Sequence, residues 1–205
     1  MSLSLYYHPY SRAAGTIWAL EEAGVDYDLK VTDIMKGEQK GPELLAKNPM
    51  GKLPTLVDGD LVVTEAAAIA LYLADRYAPA LAPAQGDPQR GTYLRWSLFA
   101  PSVVEPAVMA RHSGWTVKDV SAGWGTFEAM LAAAESAIAG KSFVLGDTFS
   151  MADVVFGGTL RFVIGFKQVE PTPVFEDYIK RLEARPALQR ADAKNAAMRK
   201  ELGLQ

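Results

Sequence analysis

The chain contains no cysteine and only two histidines. Without thiols no disulfide can form, no cysteine nucleophile exists, and a zinc site of the Cys/His type is excluded, so no metal is expected. Charge of one sign is also lacking: the formal net charge is −3. With no basic field to hold phosphate, nucleic acid and anionic membrane are not expected partners. The longest strongly apolar run, Ala66–Ala74, is far too short to span a bilayer. The start, MSLSLYYHPYSR, shows neither a basic nor an apolar leader segment. The expectation is a cytoplasmic protein. No Gly-x-Ser-x-Gly elbow and no glycine-rich phosphate loop after a strand occurs, so two large classes of enzyme fall away.

What is there is strongly ordered along the chain. Leu3–Tyr7 reads as a strand ending at His8-Pro9, and Ser11 opens a helix that stops at Gly24, a natural left-handed helix end. Tyr27–Val31 is a second strand, Gly37–Lys40 a polar loop and Pro42–Lys47 a short helix with proline in its first turn. Thr55–Asp58 and Leu61–Thr64 form a hairpin through Gly59, and a helix runs from Glu65 to Tyr77. The proline-rich, aperiodic APALAPAQGDP marks a boundary. We therefore divide the chain into residues 1–78 (α/β), a linker at 79–88 and residues 89–205 (all helical). In the second part, Gln89–Arg111, Val117–Ala139 and Pro173–Ala184 read as helices, and the tail as helical and partly frayed. In FSMADVV, Ser150 caps a helix and Asp153 returns to it three residues on.

Three features bear on chemistry, and each has two open readings at this stage. Pro54 precedes a strand: it either blunts the strand start, or through a cis bond turns the chain and exposes the backbone of Leu53. Glu65, in the first turn of its helix behind Thr64, either complements the helix dipole or receives a ligand's ammonium while the adjacent N–H groups of Glu65–Ala67 receive its carboxylate. Ser11 is either a helix cap or a hydroxyl aimed at a ligand atom. Tyr6 and Tyr7 alternate along a strand, so at least one belongs to the core.

These segments in this order resemble the soluble glutathione S-transferase family. The resemblance is carried by YYHPYSRAAGTIWALEEAGVDYDL, GEQKGPELLAKNPMGKLPTLVDGD, TEAAAIALYLADRY and FVLGDTFSMADVV, and it covers nearly the whole chain. It implies a thioredoxin-like N-terminal domain (βαβαββα), an all-α C-terminal domain and a homodimer, with Met50 as a possible key into the partner subunit. It also implies glutathione as cosubstrate and attack of its thiolate on small hydrophobic electrophiles, the chemistry of detoxification. Ser11 matches the hydroxyl of the serine-type (theta- and phi-like) classes, with Tyr10 as runner-up. Leu53 and cis-Pro54 would meet the cysteinyl part of glutathione, Glu65 and Ala66 the γ-glutamyl end, and Gln39, Lys40 and Lys52 the glycyl end. Tyr10, Met109, His112 and Trp115 would wall the electrophile's pocket.

One departure stands out. The family commonly has Glu-Ser where this chain has Glu65-Ala66, so one hydroxyl that would bind the γ-glutamyl carboxylate is missing. That favours, as an alternative, a non-catalytic binding or scaffold protein; a glutathione-dependent peroxidase or isomerase on the same site is a further one. Without a cysteine of its own, the chain must take its sulfur nucleophile from glutathione.

Overall fold

A computed structural model describes residues 3–204, the side chain of Asp119 apart. The outermost expected domain bounds, residues 1 and 205, lie outside the described ones. The chain forms two units, one running to Ala78 and joined by the residues from Arg185 onward, the other Pro79–Ala184.

The first unit is built on a four-stranded mixed sheet of order β2-β1-β3-β4. β1 (Leu3–Tyr7) pairs parallel with β2 (Tyr27–Val31) and antiparallel with β3 (Thr55–Asp58), which pairs antiparallel with β4 (Leu61–Thr64). All four strands have the bounds expected from sequence. α1 (Ala13–Ala23) connects β1 to β2 and ends on Gly24 at φ 65°. The polar loop contains a 3-10 turn, Glu38–Lys40, and α2 is the single turn Pro42–Leu45. α3 (Ala66–Tyr77) buries Ala67, Ile69, Ala70, Leu73 and Ala74. The alanines among them let α3 and α1 pack together.

In central β1 Leu3, Leu5, Tyr6 and Tyr7 are buried, so both faces of the strand are covered. Both tyrosines are therefore core. The Tyr6 hydroxyl donates to Glu43 Oε1 in α2 at 2.5 Å. The Tyr7 hydroxyl donates to Asn195 Oδ1 at 2.6 Å. Asn195 lies on the last helix, α9 (Pro186–Glu201), and its Nδ2 donates to Ala14 C=O at 3.1 Å. Residues from Arg185 thus join the first unit, whereas sequence pattern assigned them to the helical part. The reason is a pair of acids at the end of α1. Glu22 takes a two-point bond from Arg185 (2.6 and 2.8 Å), and Glu21 accepts from Arg190 (2.7 Å) and Lys194 (2.6 Å). Burial alone would raise the Glu21 pKa; the hydrogen bonds from Lys194, Tyr27 and Arg190 outweigh it and hold the carboxyl below its usual range.

The second unit is helical. α4 (Arg90–Phe99) runs into a π-helical turn, Ala100–Val104, and on into α5 (Glu105–His112). Pro101 has no N–H to give the preceding turn, and the wider turn accommodates it. The helix expected from Val117 begins only at Phe127: α6 is Phe127–Ile138, with the Thr126 hydroxyl accepting the Ala129 N–H at 3.1 Å. Gly125, at φ 69°, stands just before that cap. α7 (Met151–Gly165) begins at the expected capping box. α8 is Pro173–Glu183. Asp153 is fully buried and does more than cap. It accepts the N–H groups of Val144 and Ser150, each at 2.9 Å, and the Tyr178 hydroxyl of α8 at 2.9 Å. Desolvation pushes its pKa up, against these bonds. Gly157 seats α8: a Cβ there would lie 2.2 Å from Leu182 Cδ1. Among the described residues no helix is long and apolar enough to cross a membrane.

Candidate active site

Strand register defines one end of the sheet. Tyr6 pairs with Thr55, and Thr55 with Thr64, so the three lie in a row across β1, β3 and β4. The chain leaves this row at three neighbouring points: towards Ser11 from β1, back to Leu53-Pro54 from β3, and into Glu65-Ala66 from β4. The first turns of α1 and α3 start there too.

The Leu53-Pro54 bond is cis. Among the described residues no hydrogen bond engages the N–H or C=O of Leu53, so both remain for a ligand. Asn48, buried and unnoticed in the sequence, holds the loop that presents them. Its Oδ1 accepts the Met50 N–H at 3.1 Å, and its Nδ2 donates to Lys52 C=O at 3.0 Å and Thr55 Oγ1 at 3.2 Å. The sequence signal was the Asn48-Pro49 pair, a turn initiator.

Glu65 is the residue before the helix rather than part of its first turn. Its φ of 67° and ψ of 121° are unusual for a residue with a side chain. Such conformations cost about 1–3 kcal/mol and cluster at ligand sites. The first helical bond runs from Ile69 N–H to Glu65 C=O at 2.9 Å. Within the helix, the N–H groups left for a ligand are therefore those of Ala66, Ala67 and Ala68. Among the described residues Thr64 caps none of them, and the exposed Glu65 carboxylate has no ion-pair partner.

Ser11 lies two residues before α1. Its Oγ accepts the Ala13 N–H at 3.2 Å and donates to His8 C=O at 2.8 Å. The Ser11 N–H also donates to that carbonyl, at 3.0 Å. Tyr10 is 38% exposed, whereas Tyr6 and Tyr7 are buried with committed hydroxyls. Burial raises both of those phenols to about 12; the Glu43 hydrogen bond adds to it at Tyr6.

Of the three residues expected at the glycyl end, Lys40 donates to Met50 C=O at 2.8 Å. Gln39 Oε1 is buried with no partner among the described residues, and Lys52 is exposed. Met50 is 67% exposed. Met109, His112 and Trp115 belong to the other unit, at the end of α5 and just beyond. His112 Nε2 donates to Gln168 C=O at 2.9 Å. Trp115 lines a cavity of about 350 Å³ with Trp124, Phe127 and Arg111. No group of three or more metal-ligating side chains occurs among the described residues.

A family model for glutathione S-transferase N-terminal domains matches residues 1–75, and one for the C-terminal domains matches residues 106–190. The chain belongs to the glutathione S-transferase family. Glutathione S-transferase F10 of Arabidopsis thaliana is 42% identical over 77 residues. That match spans 38% of this chain and 36% of the relative's own length. The glutathione transferase URE2P6 of Phanerochaete chrysosporium, solved with oxidised glutathione, superimposes with a TM-score of 0.81 at 27% identity, over 96% of this chain and 97% of that one. The theta-class enzyme of Xanthomonas axonopodis pv. citri, solved with glutathione bound, gives 0.73 at 28% identity, over 93% and 96%. The thioredoxin-like sheet followed by a helical domain is thus the fold of this family.

Proposed function

We propose that this family member binds glutathione at the sheet end and activates its thiolate for attack on small hydrophobic electrophiles. The observation that carries this reading is the convergence there of unpartnered Leu53 backbone groups, three unpartnered N–H groups of α3 and the Glu65 carboxylate. A γ-glutamyl tripeptide has the matching groups: an amide backbone, a carboxylate and an ammonium. Leu53 pairs with the cysteinyl backbone, Glu65 takes the ammonium, and the α3 N-terminus at Ala66 takes the α-carboxylate. Gln39, Lys40 and Lys52 serve the glycyl end.

A thiol of pKa ~8.5 is only a few per cent ionised at pH 7. Lowering it by about two units requires ~2.7 kcal/mol of preference for the thiolate. One hydroxyl donor to a charged sulfur supplies ~1.5–3 kcal/mol, and a helix N-terminus ~0.3–1 kcal/mol more. Ser11 is the donor. Its hydroxyl can turn from His8 C=O to sulfur without orphaning that carbonyl, which keeps the Ser11 N–H. The thiolate then attacks the electrophilic carbon, the S–C bond forms, and the leaving group departs with its electron pair. Tyr10 serves the electrophile on the side of the first unit, and the chain works as a cytoplasmic homodimer with Met50 in the interface.

The test is turnover of glutathione with an activated aryl halide at pH 7. Ser11→Ala is expected to lower kcat/KM by about 10- to 100-fold while glutathione binds within about threefold of the parent. Unchanged turnover would remove Ser11 from the mechanism and bring Tyr10 forward. Ala66 favours the alternative of a binding protein, and glutathione bound without turnover of any electrophile would select it.

A further inference from the structure

The segment His8–Ser11 is a β-turn. Ser11 N–H closes it on His8 C=O, with Pro9 at the second position. The His8 side chain closes it a second time: Nδ1 accepts the Tyr10 N–H at 3.1 Å. An Asn or Asp in this place makes the same bond, from side-chain oxygen to the N–H two residues on. The imidazole is 1% exposed, and the Tyr10 ring packs edge-on against it at 5.9 Å. The carbonyl of the same residue receives the Ser11 hydroxyl. One histidine therefore contacts both residues that could donate to sulfur. A ring nitrogen that accepts carries no proton, so the proton sits on Nε2 and only neutral imidazole can hold the turn. Burial lowers the His8 pKa and keeps it neutral, against the pull of the Asp33 charge.

We propose that His8 is a positioning residue: by accepting the Tyr10 N–H, its neutral ring holds the turn that aims the Ser11 hydroxyl at the sulfur of bound glutathione. This rests on the reading of Ser11 given above. The plain alternative is a ring that fills core volume, and two substitutions separate the two roles. Leucine fills the space and has no acceptor; asparagine restores the acceptor and leaves a void. A filler tolerates His8→Leu better, a turn staple tolerates His8→Asn better.

The experiment follows the ultraviolet absorbance of the glutathione thiolate against pH in the parent, H8N and H8L, with glutathione affinity and Tm measured alongside. In H8L the bound thiol's pKa is expected to rise by about one unit and kcat/KM at pH 7 to fall about tenfold. In H8N the pKa should stay within about half a unit and kcat/KM within about threefold of the parent, despite the larger loss of Tm. An unchanged thiol pKa in H8L, or H8N as impaired as H8L, overturns the positioning role. A parent with no shifted thiol overturns the functional reading and this inference with it. Should neither variant fold, nitrogen chemical shifts of the parent decide: His8 is expected as the neutral Nε2–H tautomer, and a proton on Nδ1 overturns the proposal.

Discussion

Ala66 is the residue at which the proposed glutathione site is weakest and most easily improved. Its N–H points out of the first turn of α3, but it offers no hydroxyl to a carboxylate. Ala66→Ser adds one charge-assisted bond of ~1.5–3 kcal/mol where the helix end already favours negative charge. Calorimetric titration should show glutathione binding at least about tenfold tighter in A66S; an unchanged affinity would mean that the γ-glutamyl carboxylate lies elsewhere. His8 makes a separate prediction about stability. Its folded-state pKa is lowered by burial, so the unfolded chain takes up a proton first as pH falls. Stability is full above the unfolded value of 6.5 and declines as pH drops through it towards the folded value. H8N should flatten that limb in denaturation measured from pH 7.5 to 5.5. A limb unchanged in H8N would place its origin in another group.

Elements differ in how much of them was legible. The strands could be read to the residue because short aliphatic and aromatic runs lie between turn-forming neighbours, His8-Pro9 after β1 and Pro54 and Gly59 around β3. The start of α6 could not: the apolar spacing from Val117 imitates a helix, while the loop's end depends on Gly125 and on the Thr126 cap. The home of α9 was hidden for another reason. Periodicity reveals that a helix has a buried face, not what covers it. Here Glu21 and Glu22 select Arg185, Arg190 and Lys194 from more than 160 residues away along the chain. Asn195 then caps the Tyr7 hydroxyl in the core. Asn195→Leu leaves that hydroxyl buried without its acceptor and should cost ~2 kcal/mol, about 5 °C in Tm. In the helical unit, Asp153→Ala strands four donors at once, the Ser150 hydroxyl among them, and should cost more, ~3 kcal/mol or above, by urea denaturation. If D153A were no more damaging than a typical surface substitution, the hub assignment would be wrong.

For the molecule as a whole, fold and family were legible because four motifs recur in one order over nearly the entire chain. The site was legible residue by residue only in part. The segments that carry Ser11, Leu53-Pro54 and Glu65-Ala66 leave the sheet at neighbouring strand ends because the register of β1, β3 and β4 sets those ends side by side. Asn48 and His8 escaped notice because their work is local hydrogen bonding, which has no periodicity to betray it. Neither could sequence alone decide the Pro54 isomer, since cis and trans X–Pro differ by only about 0.5–1 kcal/mol before tertiary contacts act. A chain without cysteine offers one direct test of the central claim, because any thiolate signal it displays belongs to its ligand. Glutathione is titrated into the protein, and thiolate absorbance is followed from pH 5 to 10. The account predicts a bound thiol whose pKa lies about two units below the free value of ~8.5. Glutathione that binds with an unshifted pKa, or that fails to bind at millimolar concentration, would contradict it.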